Sequence, residues 1–141
     1  MNQEEIKKEI DRAEKALKSA EVLIEKSYYE DAISRCYYGA LHAARALLLI
    51  EDINISSHQA VRRLVGKHFI KTGKLDKKYA KILAEVQDDR YRADYDVIYS
   101  ATEEEAEDNL KETFDLDQLF STIHFSDNSL LSISSSPGSQ T

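Results

Sequence analysis

Proline is all but missing from this chain. Its one proline, Pro137, stands among the last residues, so the first 136 positions contain none. Glycine is scarce too, at four in 141 residues. Turn-rich β architectures need both residue types at their corners, so this shortage excludes such folds and points to long helices. Tryptophan is absent, and Cys36 is the one cysteine. A single thiol excludes an internal disulfide and a cysteine-based metal cluster. No run of about eighteen apolar residues occurs, which argues against a membrane span. The opening MNQEEIKKEIDRAEK is too charged for a signal peptide. A cytoplasmic location is the expectation.

What is present fits one helical domain. A chain of 141 residues, 42% hydrophobic and 32% charged, is long enough to bury a real core. The net charge of −7 disfavours indiscriminate nucleic-acid binding. The charge is unevenly spread, however. Arg62, Arg63, Lys67, Lys71, Lys74, Lys77, Lys78 and Lys81 face a single acid, Asp76, in their stretch. From Glu103 to Asp117 the balance reverses, with Lys111 the one cation among eight acids. Such asymmetry makes either a phosphate-binding face or solvated faces and mutually attracting segments.

Apolar spacing divides the chain into helices. The first spans about Asn2 to Lys26, with Ile6, Ile10, Ala13, Leu17, Ala20 and Ile24 stepping by four and three. The second, from about Tyr29 to Ile50, is apolar on most sides, so it is central or shared with a second subunit. Gly39, Ala40, Ala43 and Ala44 let another helix approach it closely. Ser56 or Ser57 caps a third helix, His58 to Lys71, whose inner face carries Val61, Leu64, Val65, His68 and Phe69. Gly73 suits the left-handed stop. The fourth helix spans about Asp76 to Tyr99. The fifth begins at the capping box Thr102 to Glu105 and runs to about Phe120. The expected domain is therefore an all-α up-and-down bundle of four or five helices over residues 1–120. Residues 121–141 are serine-dense and lack Lys, Arg and Glu. They read as a disordered or non-native tail, although Ile123, Phe125, Leu130 and Leu131 could still dock.

The segment DDRYRADYD interrupts this pattern. Ile82, Val86, Ala93 and Val97 recur at helical spacing, and Arg90 takes the seam position between Val86 and Ala93. Asp94 lies four residues on, a neighbour on the helix surface. An inward arginine and carboxylate cost stability unless they are paired or used. Two readings follow: a structural Arg90–Asp94 pair at the core edge, or a polar site inside the bundle.

Three stretches carry a family resemblance. SRCYYGALHAARALLL resembles the second helix of HEPN-domain proteins, SSHQAVRRLVGKHFIKTGKLD the following helix and turn of one prokaryotic subfamily, and DDRYRADYD that subfamily's Arg-x-x-Ala-Asp-Tyr segment. The resemblance covers about Glu4 to Phe120. It implies a compact helical bundle that forms a homodimer. It also implies a link to small nucleotidyltransferases, with which many HEPN proteins form toxin–antitoxin pairs. Active members are metal-independent ribonucleases marked by an arginine, often followed by Asn, with a histidine about five residues on. Here Arg90 matches the arginine, but Tyr91 follows it, and the histidine position falls near Asp94 or Tyr95. No histidine stands between His68 and His124. Histidine suits such chemistry because it titrates near neutrality.

The candidate catalytic residues are accordingly Arg90, Asp94 and Tyr95, and the candidate ligand-binding residues are Arg90, His58 and Tyr38. His58, beside the Ser56-Ser57 cap, either binds phosphate or simply packs at the helix start. Tyr28, Tyr29, Tyr37 and Tyr38 either stack on bases or fill core and interface. His42 reads as a core histidine bonded to a neighbour, and Cys36 as an inert packed thiol. The four histidines have no ligand spacing, so neither metal nor cofactor is expected. Three functions remain open: a nucleotide- or RNA-interacting module acting with a nucleotidyltransferase partner, a ribonuclease toxin with a degenerate motif, and a non-catalytic structural dimer.

Overall fold

A computed structural model of the chain describes residues 3–124. Five α-helices run through them: α1 (Gln3–Glu25), α2 (Tyr29–Ile50), α3 (His58–Val65), α4 (Lys78–Tyr95) and α5 (Glu103–His124). Among the described residues there is no strand. Helix α2 packs against α1, α4 and α5, and α1 also meets α5. The cross-contacts set the directions. Glu9 meets His42 and Arg45 while Leu17 meets Gly39, so α1 and α2 are antiparallel. Ser34 meets Asp94 while Tyr38 meets Arg90, so α4 also runs against α2. The bundle is thus up-and-down, as short connections between helices favour.

The core lies where the apolar spacing puts it. Ile6, Ile10, Ala13, Leu17 and Ala20 of α1 are buried, and α2 buries residues on most of its circumference. Gly39 is the close-approach point. A Cβ there would lie 2.6 Å from Leu17 Cδ2. Polar ties reinforce the same pair of helices. His42 Nδ1 lies 2.7 Å from Glu9 Oε1, and Arg45 Nε donates to Glu9 Oε2 at 2.9 Å. Burial raises the Glu9 pKa, but His42 and Arg45 outweigh it and hold the carboxyl below its ordinary value. Cys36 is buried, and desolvation pushes its thiol up to about 12, so it stays protonated and unreactive.

Caps and stops follow local chemistry. Ser57 Oγ accepts from Ala60 N at 3.2 Å, and Thr102 and Glu105 exchange both capping-box bonds. Gly73 is left-handed at φ 79°, but so are Ser27 at 66° and Asp52 at 60°. At Ser27 the Tyr28 N–H reaches back to Leu23 O at 2.8 Å, the helix-ending bond that usually employs glycine. A glycine-poor chain has put ordinary residues in that conformation.

Three helix boundaries differ from the sequence expectation. The third helix is not continuous to Lys71: after Val65 a π-helical turn, Gly66–Ile70, takes over, closed by Lys71 N to Gly66 O at 2.9 Å. Helix α4 stops at Tyr95, not Tyr99, because Asp96 Oδ1 accepts from Ile98 N at 3.0 Å and competes with the helical ladder. Val97 is therefore no seam residue; it is 98% exposed. Helix α5 continues past Phe120 to His124, and Ile123 is buried. The rest of the expected tail, with Phe125, Leu130 and Leu131, lies outside the described residues.

Two substitutions should move stability in opposite directions. Gly39→Val overpacks the α1–α2 contact and should cost about 1–3 kcal/mol. Ser27→Gly relieves a left-handed non-glycine residue and should gain about 1 kcal/mol. Thermal melts of the two variants beside the wild type check both signs.

Candidate functional site

Ala80, Leu83, Gln87, Arg90 and Asp94 step by three and four along α4, so they share one face. That face looks toward α2 and α3. On α2, Ser34, Tyr37, Tyr38 and Leu41 form the opposing row.

Arg90 sits where these rows meet. Its guanidinium carbon lies 5.0 Å from the Tyr37 ring centroid, 5.6 Å from Tyr38 and 5.8 Å from Tyr95. Nη2 donates to Tyr38 Oη at 3.1 Å. Nε lies 2.9 Å from Asp94 Oδ2, an ionic contact without an aligned hydrogen bond. Ser34 Oγ bonds the other oxygen of Asp94. Arg35 approaches Tyr38 as well, at 4.9 Å, so two guanidiniums bracket one ring. Burial works against the Arg90 charge, yet Tyr38, Asp94 and Tyr95 together raise its pKa further. Tyr37 is pushed up by its own burial and stays a neutral phenol. A permanent cation is thereby held against aromatic faces, with guanidinium donors to spare for an anion.

Asp94 is the positioning group of this cage. Its two oxygens hold Arg90 from one side and Ser34 from the other. The cage itself is braced from α5. Asn109 donates to Asp89 at 2.8 Å, Asp89 pairs with Arg92 at 2.5 Å, and Arg92 covers the Tyr99 ring at 4.8 Å. Tyr99 in turn donates to Glu105 at 3.1 Å. Burial and that bond push the Tyr99 hydroxyl up to about 12.

Beside the cage, a small pocket is lined by Tyr37, His58, Arg62 and Gln87. It leads to an open cleft of about 450 Å³ between α3 and α4, lined by Gln59, Arg62, Arg63, Ala80 and Gln87. Arg62 donates to Gln87 at 2.5 Å. No carboxylate lines either space.

The structure therefore brings Arg90, Asp94, Tyr95 and Tyr38 together, and places His58 in the adjoining pocket. Ser34, Arg35 and Gln87 were not foreseen. Nothing in the spacing of α2 sets Ser34 or Arg35 apart from its other polar residues, such as Asp31, His42 and Arg45. His42 is bonded to Glu9, away from Arg90. Among the described residues, no three His, Cys, Asp or Glu side chains are grouped to hold a metal. None of the described helices is long and apolar enough to cross a membrane.

The chain is thus an antiparallel helical bundle with Arg90 set among tyrosines at a helix–helix seam. The HEPN domain family matches residues 6–116, and the chain belongs to it. Two proteins of Methanocaldococcus jannaschii are similar. "Putative toxin MJ0142" is 39% identical over 103 residues, covering 73% of this chain and 70% of that protein. "Putative toxin MJ0605" is 38% identical over 104 residues, covering 74% and 77%. The "UPF0332 protein PH1297" of Pyrococcus horikoshii is 41% identical over 87 residues, covering 62% and 61%.

Tyr38→Phe removes only the hydroxyl that accepts from Arg90. It should cost about 1 kcal/mol, visible as a Tm lowered by a few degrees. An unchanged melt would mean that this bond contributes nothing to the seam.

Proposed function

We propose that the protein is a toxin-like HEPN module that binds RNA or a nucleotide at the Arg90 cage. It does so as a homodimer acting with a nucleotidyltransferase-type partner. The observation that carries this reading is the cage itself. A half-buried arginine set against the Tyr37, Tyr38 and Tyr95 rings and paired with Asp94 offers a phosphate its free donors, and the cage offers a base its aromatic faces. The carboxylate-free cleft with Arg62 and Arg63 continues the positive surface away from the cage. The names of the two M. jannaschii relatives support the toxin-like part. Support for a dimer comes from apolar exposure beside the cage. Tyr91, Tyr95, Val97 and Ile98 are all exposed, and the Tyr91 and Tyr95 rings stand 5.0 Å apart.

The resemblance of DDRYRADYD to the HEPN arginine motif carries a second reading, a metal-independent ribonuclease using Arg90 with Asp94 or Tyr95. Here the cage chemistry decides the expectation. It contains no histidine, and Asp94 is occupied by Ser34 and Arg90. Proton transfer near neutrality then lacks a suitable group.

Binding of a fluorescein-labelled single-stranded RNA, followed by anisotropy at several salt concentrations, tests the proposal. Arg90→Ala should weaken binding about tenfold or more and flatten the salt dependence, with the helical melt shifted by only a few degrees. The same RNA incubated with wild type in EDTA should stay intact. Cutting by wild type and not by Arg90→Ala would establish the ribonuclease reading instead. A variant that loses its fold without any wild-type binding would make Arg90 purely structural.

A further inference from the structure

Of the acidic stretch of α5, Glu105 braces the Arg90 cage through Tyr99, while Glu107 and Asp117 point to a different use. They line a groove between α1 and α5. The groove encloses about 560 Å³ and runs from Glu107 to Gln118 along α5, about 16 Å by helix rise. Its floor is apolar, built from Leu17, Leu110 and Phe114. Phe114 is 51% exposed, unusual for a phenylalanine without a partner. The rims carry Glu14, Glu21 and Glu107 against Lys18 and Lys111, and Lys111 is already paired with Asp115 at 3.6 Å.

Asp117 lines the same groove and is 1% exposed. Neither of its carboxylate oxygens has a well-formed hydrogen bond, and neither does the neighbouring Ser121 hydroxyl. Desolvation first, and Glu14 second, push the Asp117 carboxyl up to about 6, against the smaller lowering effect of the Ser121 hydroxyl. A buried carboxylate whose one polar neighbour is the Ser121 hydroxyl is costly, and a cation arriving from outside would lower that cost.

We infer that the α1–α5 groove is a docking surface for a basic amphipathic segment of a partner protein. Its apolar side chains cover Leu17, Leu110 and Phe114, while a lysine or arginine meets Asp117 and Glu14. Charge complementarity selects this occupant. The chain's own C-terminal residues 125–141 contain neither Lys nor Arg and so cannot supply the cation. A helix laid on an apolar strip with flanking charges is a common way for proteins to recognise one another.

The test uses the full chain and a fluorescein-labelled amphipathic helix of leucine and lysine, about 18 residues long. A leucine–glutamate peptide of the same pattern is the control. Anisotropy should show binding of the lysine peptide alone. Phe114→Ser and Glu14→Lys should each weaken it about tenfold. Asp117→Asn should weaken it while leaving the melt unchanged or raised. Asp88→Lys, an equal charge change on α4, and Arg90→Ala should leave binding unaltered. Equal losses from Asp88→Lys and Glu14→Lys would mean attraction to net charge only and overturn the proposal. Displacement of the probe by a peptide of residues 125–141 would give the groove to the chain's own end. A dimer converted to monomer by Phe114→Ser would give it to a second copy. Either result overturns the assignment.

Discussion

Helix α2 has to satisfy two demands along one surface. It must be apolar enough to bury itself against α1, α4 and α5, and it must also support a charged group. The conflict is settled by aromatic chemistry. Tyr37 and Tyr38 offer hydrocarbon edges to the core and π faces and a hydroxyl to Arg90, so the guanidinium stays charged at a packed seam. Asp94 alone, tied to Ser34, could not also provide the flat platform. The positions of α4 against α2, and of the Asp89–Asn109 brace behind it, follow from keeping this seam closed.

Much of the fold was legible because helical periodicity is a direct record of burial. The α1 seam, the central nature of α2, the Ser57 cap, the Thr102–Glu105 box and the Gly73 stop all stand where the spacing indicated. Boundaries failed where short polar side chains or backbone strain decide them. Asp96 ends α4 through a side-chain bond that no periodicity reveals, and it leaves Val97 in solvent. The π-helical turn after Val65 keeps the same residues and alters only the hydrogen-bond register, so spacing is blind to it. Ser27 and Asp52 take a conformation normally given to glycine because the chain must turn there and has few glycines.

The candidate site was legible in part for a related reason. Arg90 and Asp94 betray themselves as charges on a seam, and Tyr95 and Tyr38 come with the family resemblance. Ser34, Arg35 and Gln87 do not, because each becomes relevant only once α2, α3 and α4 are placed side by side. His58 reaches the pocket beside Tyr37 by the same route. Parts of the two charge runs separate in the fold as well: Arg62 and Arg63 line the α3–α4 cleft, and Glu107 and Asp117 line the α1–α5 groove. One chain of net charge −7 thus presents faces of opposite character.

The central claim is that the tyrosine-lined arginine seam is where RNA or a nucleotide sits. Photocrosslinking of a 5-iodouridine-substituted RNA, with the modified residues mapped by mass spectrometry, addresses it most directly. The account predicts crosslinks at Tyr37, Tyr38 or Tyr95, all suppressed by unlabelled RNA. Crosslinks confined to other faces of the bundle, with those three rings untouched, would contradict it.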